Sequence, residues 1–87
     1  RVFAVPGMNH CSGGPATDQF DLLTPLVNWV EKGEAPDRVV ASAGTTARNP
    51  GLGSVPAGRT RPLCPYPKVA RYLGSGSIDN AANFSCK

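Results

Sequence analysis

The apolar positions along this chain change period several times, and each change predicts an element. The opening RVFAV is β-branched and aromatic and stops at Pro6-Gly7, which reads as a buried strand ended by a turn. GMNHCSGGPAT follows without a period and reads as a loop at that strand's C-terminal end. In TDQFDLLTPLVNWVEKG the spacing turns helical, with Phe20, Leu23, Val27 and Val30 in register, joined by Leu22, Leu26 and Trp29. Thr17 or Asp18 is placed to cap the start, Lys32 suits the last turn, and Gly33 suits the position just past the end. Trp29 is assigned to packing of this helix. Pro25 lies inside the pattern and removes the bond to the Asp21 carbonyl. The helix therefore either kinks there or restarts with Thr24 as N-cap and Pro25 as its first residue.

Beyond the helix, DRVVASA is a short strand pattern. Residues 44–62 are a connector of Gly, Pro, Thr and Arg without periodicity. In CPYPKVARYLGSGS, Pro65 and Pro67 pull the residues before them toward extended geometry. The tail IDNAANFSCK has room for one helical turn, and no internal repeat is found. The chain divides into residues 1–43 (strand, histidine loop, helix and short strand), the connector 44–62, and an extended tail 63–87. A strand, a loop, an amphipathic helix and a stapled tail are what the end of an α/β domain looks like.

Composition limits what such a chain does alone. With 87 residues, 10 of them glycine and 9 proline, it buries a smaller fraction of its surface than a larger domain, and a self-contained core is doubtful. The net charge of +3 comes from the second half, where Arg48, Arg59, Arg61, Lys68, Arg71 and Lys87 face only Asp79. These cations are dispersed among Gly and Pro, with only Tyr66 and Tyr72 nearby, so a solvated surface is preferred to a nucleic-acid interface. No stretch approaches the ~20 apolar residues that span a bilayer. There is no start methionine and no charged-then-apolar leader, so no signal peptide is expected and the chain reads as cut from something longer or left after processing.

The three cysteines have no CxxC or CxxH spacing, which argues against a zinc site. Cys64 and Cys86, if bridged, close a loop of about 20 residues worth ~3 kcal/mol on the chain-entropy model. Such a bond places the protein in an oxidising compartment, secreted or periplasmic. Cys11 is the odd one, either a reactive thiol or half of a bridge to sequence outside this chain. Asn83-Phe84-Ser85 fits a glycosylation sequon but reads as incidental beside Cys86.

His10, the one histidine, lies in the loop between a strand and a helix, where open α/β sheets place ligand-facing residues. Gly7, Gly13 and Gly14 let this loop turn tightly, and the small neighbours leave the imidazole accessible. An imidazole exchanges a proton with a hydroxyl near neutral pH, while the plain alternative is a hydrogen-bonded loop histidine. Ser12 is too near in the same loop to be a good in-line partner, and no serine sits in a G-x-S-x-G elbow. A catalytic His10 needs a serine and an acid from elsewhere.

The stretches VPGMNHCSGGPATDQFDLLTPLVNWVEKGEAPDRVVAS and RTRPLCPYPKVARYLGSGSIDNAANFSC resemble the C-terminal end of the tannase and feruloyl esterase family. The similarity is strongest to its branch acting on terephthalate monoesters. G-M-x-H-C-S-G-G, W-V-E-x-G-x-A-P and R-P-L-C-P-Y-P together make it specific. The resemblance implies the C-terminal strand–histidine loop–helix portion of an α/β-hydrolase fold plus a disulfide-stapled tail. It implies a serine esterase that hydrolyses feruloyl, galloyl or terephthalate monoesters, with His10 as the catalytic histidine. It implies that Cys11 bridges to the cysteine just before the nucleophilic serine, and that Cys64 and Cys86 form a tail disulfide. The partner of this segment is then the N-terminal part of the same enzyme, which brings the serine, the aspartate and a lid domain. No cofactor is expected in the segment itself, and the resemblance implies a calcium site in the lid. The competing reading is a small, secreted, non-enzymatic module stapled by Cys64 and Cys86, or an inactive fragment.

Overall fold

The computed structural model describes residues 1–44 and 55–87. Most of the expected connector therefore lies outside the described residues, and its described end departs from the expectation. Thr60–Leu63 forms a strand, β2, antiparallel to β1, Val39–Ser42. The β1 sequence VVAS alternates as a half-buried strand does, with Val39 and Ala41 inward and Val40 outward. Val39, Ala41 and Leu63 make the core, and Phe3 and Val5 are packed against it. Pro62 sits in β2 at no cost to this pairing. The Thr60 N–H points away from β1, donating to the Asp79 carbonyl at 2.9 Å, and Pro62 two residues on faces the same way.

On its other edge β1 is joined by Gln19, which exchanges both backbone hydrogen bonds with Ser42, at 2.9 and 2.8 Å. That pairing explains why the helix starts later than its apolar pattern does. Gln19 is held against β1 and the helix begins four residues later, so neither Thr17 nor Asp18 caps it. The helix α1 spans Leu23–Lys32, with Leu22 at the N-cap position making no side-chain cap bond. Asp21 does the capping instead, its Oδ1 accepting from the N–H of Leu23 at 2.9 Å and of Thr24 at 3.1 Å. Pro25 falls in the first turn, where its absent N–H has no intrahelical role, so the helix restarts and does not kink. Gly33 ends it as expected, at φ +70° with its N–H on the Trp29 carbonyl.

No residue of α1 is buried, and Leu23 and Val30 are 69% and 78% exposed. Trp29 is covered only in part, by Arg1, whose guanidinium lies 5.8 Å from the ring centroid. Nor does RVFAV form the buried strand expected, since it pairs through an isolated bridge at Phe3. Phe3 bridges Pro65 and the Val2 carbonyl accepts from Tyr66, while Val2 and Ala4 face outward. With a neighbour on one edge among the described residues, RVFAV buries one side.

The tail folds back as β3, Ala70–Tyr72, antiparallel to β4, Phe84–Cys86. The expected helical turn is a 3-10 turn, Ala81–Asn83, whose Asn80 side chain accepts from the Ala82 N–H. Cys64 and Cys86 are disulfide-bonded with Cα atoms 5.5 Å apart, tying the end of β2 to β4. Arginines add to that tie. Arg38 donates to the carbonyls of Ala81 and Phe84, and Arg59 pairs with Asp79 at 2.6 Å. Arg61 donates to the Ile78 carbonyl and lies 4.4 Å from the Phe84 ring centroid. Arg59 and Arg61, two of the cations in the basic second half, thus serve as internal straps.

Reducing the Cys64–Cys86 bond is expected to cost ~3 kcal/mol, in line with a closed loop of 22 residues. Urea unfolding with and without reductant measures it, and the Cys64→Ser/Cys86→Ser variant should match the reduced protein. The hydrogen bonds from the Thr24 side chain and from the Thr24 and Leu23 N–H groups hold the Asp21 pKa below its ordinary 3.8. Because the folded value is lowered, this cap stabilises α1 above the unfolded pKa, and the contribution disappears as pH falls through the folded one. Circular dichroism should therefore show Asp21→Ala weakening the helix at pH 7 while making no difference well below pH 3.8.

Candidate active site

The histidine loop leaves the half-buried RVFAV segment at Pro6-Gly7 and returns at Pro15. Its tip is closed by the Asn9 N–H donating to the Gly13 carbonyl at 3.1 Å, so His10, Cys11 and Ser12 project from a short backbone ring. All three are exposed. Cys11 adopts φ +70°, a left-handed conformation unusual outside glycine, and carries a free thiol. No hydrogen bond joins the His10 imidazole to Ser12, Asp18 or any other described side chain.

Below the tip the loop is tight. Gly7 and Gly14 both have φ +80°, and Gly14 is buried. A Cβ on Gly14 would collide with the Gly7 carbonyl oxygen and approach the Asn9 N–H nitrogen at 3.1 Å. A Cβ on Gly7 would meet the Pro15 carbonyl oxygen at 2.7 Å. Two strands of backbone thus touch here with no room for side chains, which is why the sequence is glycine at both positions.

The side chain that fastens this loop to the rest of the molecule is Asp18, 6% exposed. Its Oδ2 accepts from the Gly13 N–H at 2.9 Å and its Oδ1 from the Gly44 N–H at 3.2 Å. Sequence pattern placed Asp18 at a helix start and missed this role. The bond to Gly44 spans 26 positions of chain, and no local signal marks it.

The other candidate residues are arranged apart from His10. Cys64 and Cys86 lie in the tail disulfide. A shallow groove lined by Pro6, Pro15, Thr17, Arg59, Arg61 and Leu63 contains two guanidinium groups, but both are committed to the tail at Asp79 and Ile78. Among the described residues no group of three or more His, Cys, Asp or Glu side chains could hold a metal ion. No helix among them is long and apolar enough to cross a membrane.

Comparison with known proteins supplies the frame for this geometry. The family model described as tannase and feruloyl esterase matches residues 1–87. A mono(2-hydroxyethyl) terephthalate hydrolase from Piscinibacter sakaiensis is 66% identical over 99% of the chain, and the match covers 13% of that protein. A probable feruloyl esterase from Arthroderma benhamiae is 41% identical over 99% of the chain, covering 15% of its own length. The crystal structure of an esterase from Aspergillus oryzae superposes with a TM-score of 0.67 at 32% identity, over 93% of the chain and 18% of that structure. The chain therefore spans less than a fifth of the length of these proteins. The architecture is a strand–loop–helix part of an α/β-hydrolase fold with a disulfide-closed tail. On its sequence, matched from end to end, and on its fold, the chain belongs to the tannase and feruloyl esterase family.

Proposed function

We propose that this segment supplies the general base, His10, of a serine-dependent carboxylic ester hydrolase. The observation that carries the reading is the exposed imidazole at the tip of a loop closed by backbone bonds and fastened to a strand, in a chain matched throughout by an esterase family. The serine, its aspartate partner and the oxyanion donors belong to the rest of the polypeptide. His10 takes the proton of the serine hydroxyl as it attacks the ester carbonyl, and the imidazolium then protonates the departing alcohol. In the second half His10 deprotonates water, which releases the acid and restores the serine.

Cys11 fits a bridge to a cysteine beside that serine. Such a bond would hold the base and the nucleophile within hydrogen-bond reach, and it would use the left-handed backbone at Cys11 to present the thiol outward. Two disulfides in one enzyme suit an oxidising compartment, so the protein is read as secreted or periplasmic. The open apolar face of α1 fits the same picture. Leu23, Leu26 and Val30 would each contribute roughly 1.5–3 kcal/mol if fully covered by the remainder of the enzyme.

The substrate class is an ester of an aromatic acid, and the relative at 66% identity makes mono(2-hydroxyethyl) terephthalate the first compound to assay. In the full-length polypeptide, His10→Ala is expected to lower kcat by about 10⁴-fold or more, with a residue of activity from binding and oxyanion stabilisation. Release of terephthalate measured by chromatography checks this, and undiminished turnover would remove His10 from the mechanism. The 87-residue segment alone is expected to hydrolyse no ester. Turnover of a feruloyl, galloyl or terephthalate monoester by the purified segment, sensitive to a serine-directed phosphonate, would contradict that.

A further inference from the structure

The carboxylate of Asp18 has a place beside the proposed base that the chemistry above does not use. One oxygen holds the Gly13 N–H at 2.9 Å and the other the Gly44 N–H at 3.2 Å, so a single rigid group spans the histidine loop and the end of β1. The β1 side of this link is firm. Gln19, the next residue, is doubly hydrogen-bonded to Ser42, and the Ala43 N–H donates to the Arg59 carbonyl at 2.7 Å on the opposite edge.

The loop side is where the link matters. The Gly13 carbonyl accepts from Asn9, so once Asp18 holds its N–H both faces of this residue are fixed. Gly13 and Gly14, both at φ +80°, carry no side chain to wedge the backbone in place. Hydrogen bonds are therefore what sets the orientation of the ring from which His10 projects. Helix capping does not account for Asp18, because Asp21 already provides it.

We propose that Asp18 is a positioning residue for the general base: its carboxylate, anchored at the end of β1 through Gly44, fixes Gly13 and through it the placement of His10. This inference rests on the reading of His10 as the base. An ionised carboxylate is suited to the task because it accepts from two N–H groups at once through charge-assisted bonds. An amide in its place accepts on one side only and turns an NH₂ toward the other N–H. A displacement of the base by about 1 Å is enough to cost on the order of 10²-fold in rate.

The test uses the full-length polypeptide and mono(2-hydroxyethyl) terephthalate, with Asp18→Asn, His10→Ala and the double variant compared for kcat, KM and melting temperature. Asp18→Asn is expected to lower kcat by about 10- to 100-fold with KM within about twofold, and to add no further loss in the His10→Ala background. If Asp18→Asn does not accumulate as folded protein, Asp18→Ser, smaller and still able to accept one N–H, is measured in its place. A kcat unchanged by either variant overturns the proposal. So does a loss of equal size with and without His10, which makes Asp18 a structural residue only. Full turnover by His10→Ala is a different failure, since it removes the base itself whatever Asp18 does.

Discussion

The double hydrogen bond between Gln19 and Ser42 is the constraint from which the arrangement of this segment follows. It turns β1 into a middle strand, with Gln19 on one edge and β2 on the other. It holds Gln19 against β1, outside the helix that begins at Leu23. It also sets Asp18 within reach of both Gly13 and Gly44. Core, helix start and histidine loop are thus positioned by one strand whose inward side chains are no larger than valine.

A second set of ties is polar and holds the tail. Arg61 on β2, Arg59 just before it and Arg38 just before β1 reach across to Ile78, Asp79, Ala81 and Phe84, and the Cys64–Cys86 bond closes the same junction. A chain with so few large buried side chains has little hydrophobic stabilisation to draw on. Guanidinium groups on backbone carbonyls and one covalent bond compensate for it.

The helix gives the opposite impression, of a surface made for something larger. Its residues Leu23, Leu26, Val27, Trp29 and Val30, with Leu22 just before it, are all exposed, an apolar face that an isolated small protein rarely leaves open. Relatives that are several times longer than this chain match it along nearly its whole length.

Local pattern determined a good deal. DRVVASA marked β1, Gly33 marked the helix end, and the motif around His10 and Cys11 pointed to the family, whereas the paired prolines, expected in extended chain, lie in a turn closed by the Lys68 N–H on the Pro65 carbonyl. These features are legible because each is set by neighbouring residues through side-chain periodicity or backbone preference. What the tertiary structure decided lies where distant residues compete for the same backbone. Thr17 and Asp18 look like helix caps, yet β1 takes their segment into an extended pairing and Asp21 becomes the cap. Thr60–Leu63 has no strand signature of its own and becomes one because β1 offers it an unpaired edge. Asp18 gains its role at the histidine loop from Gly44, far along the chain, and a bond of that span leaves no local trace in the order of the amino acids.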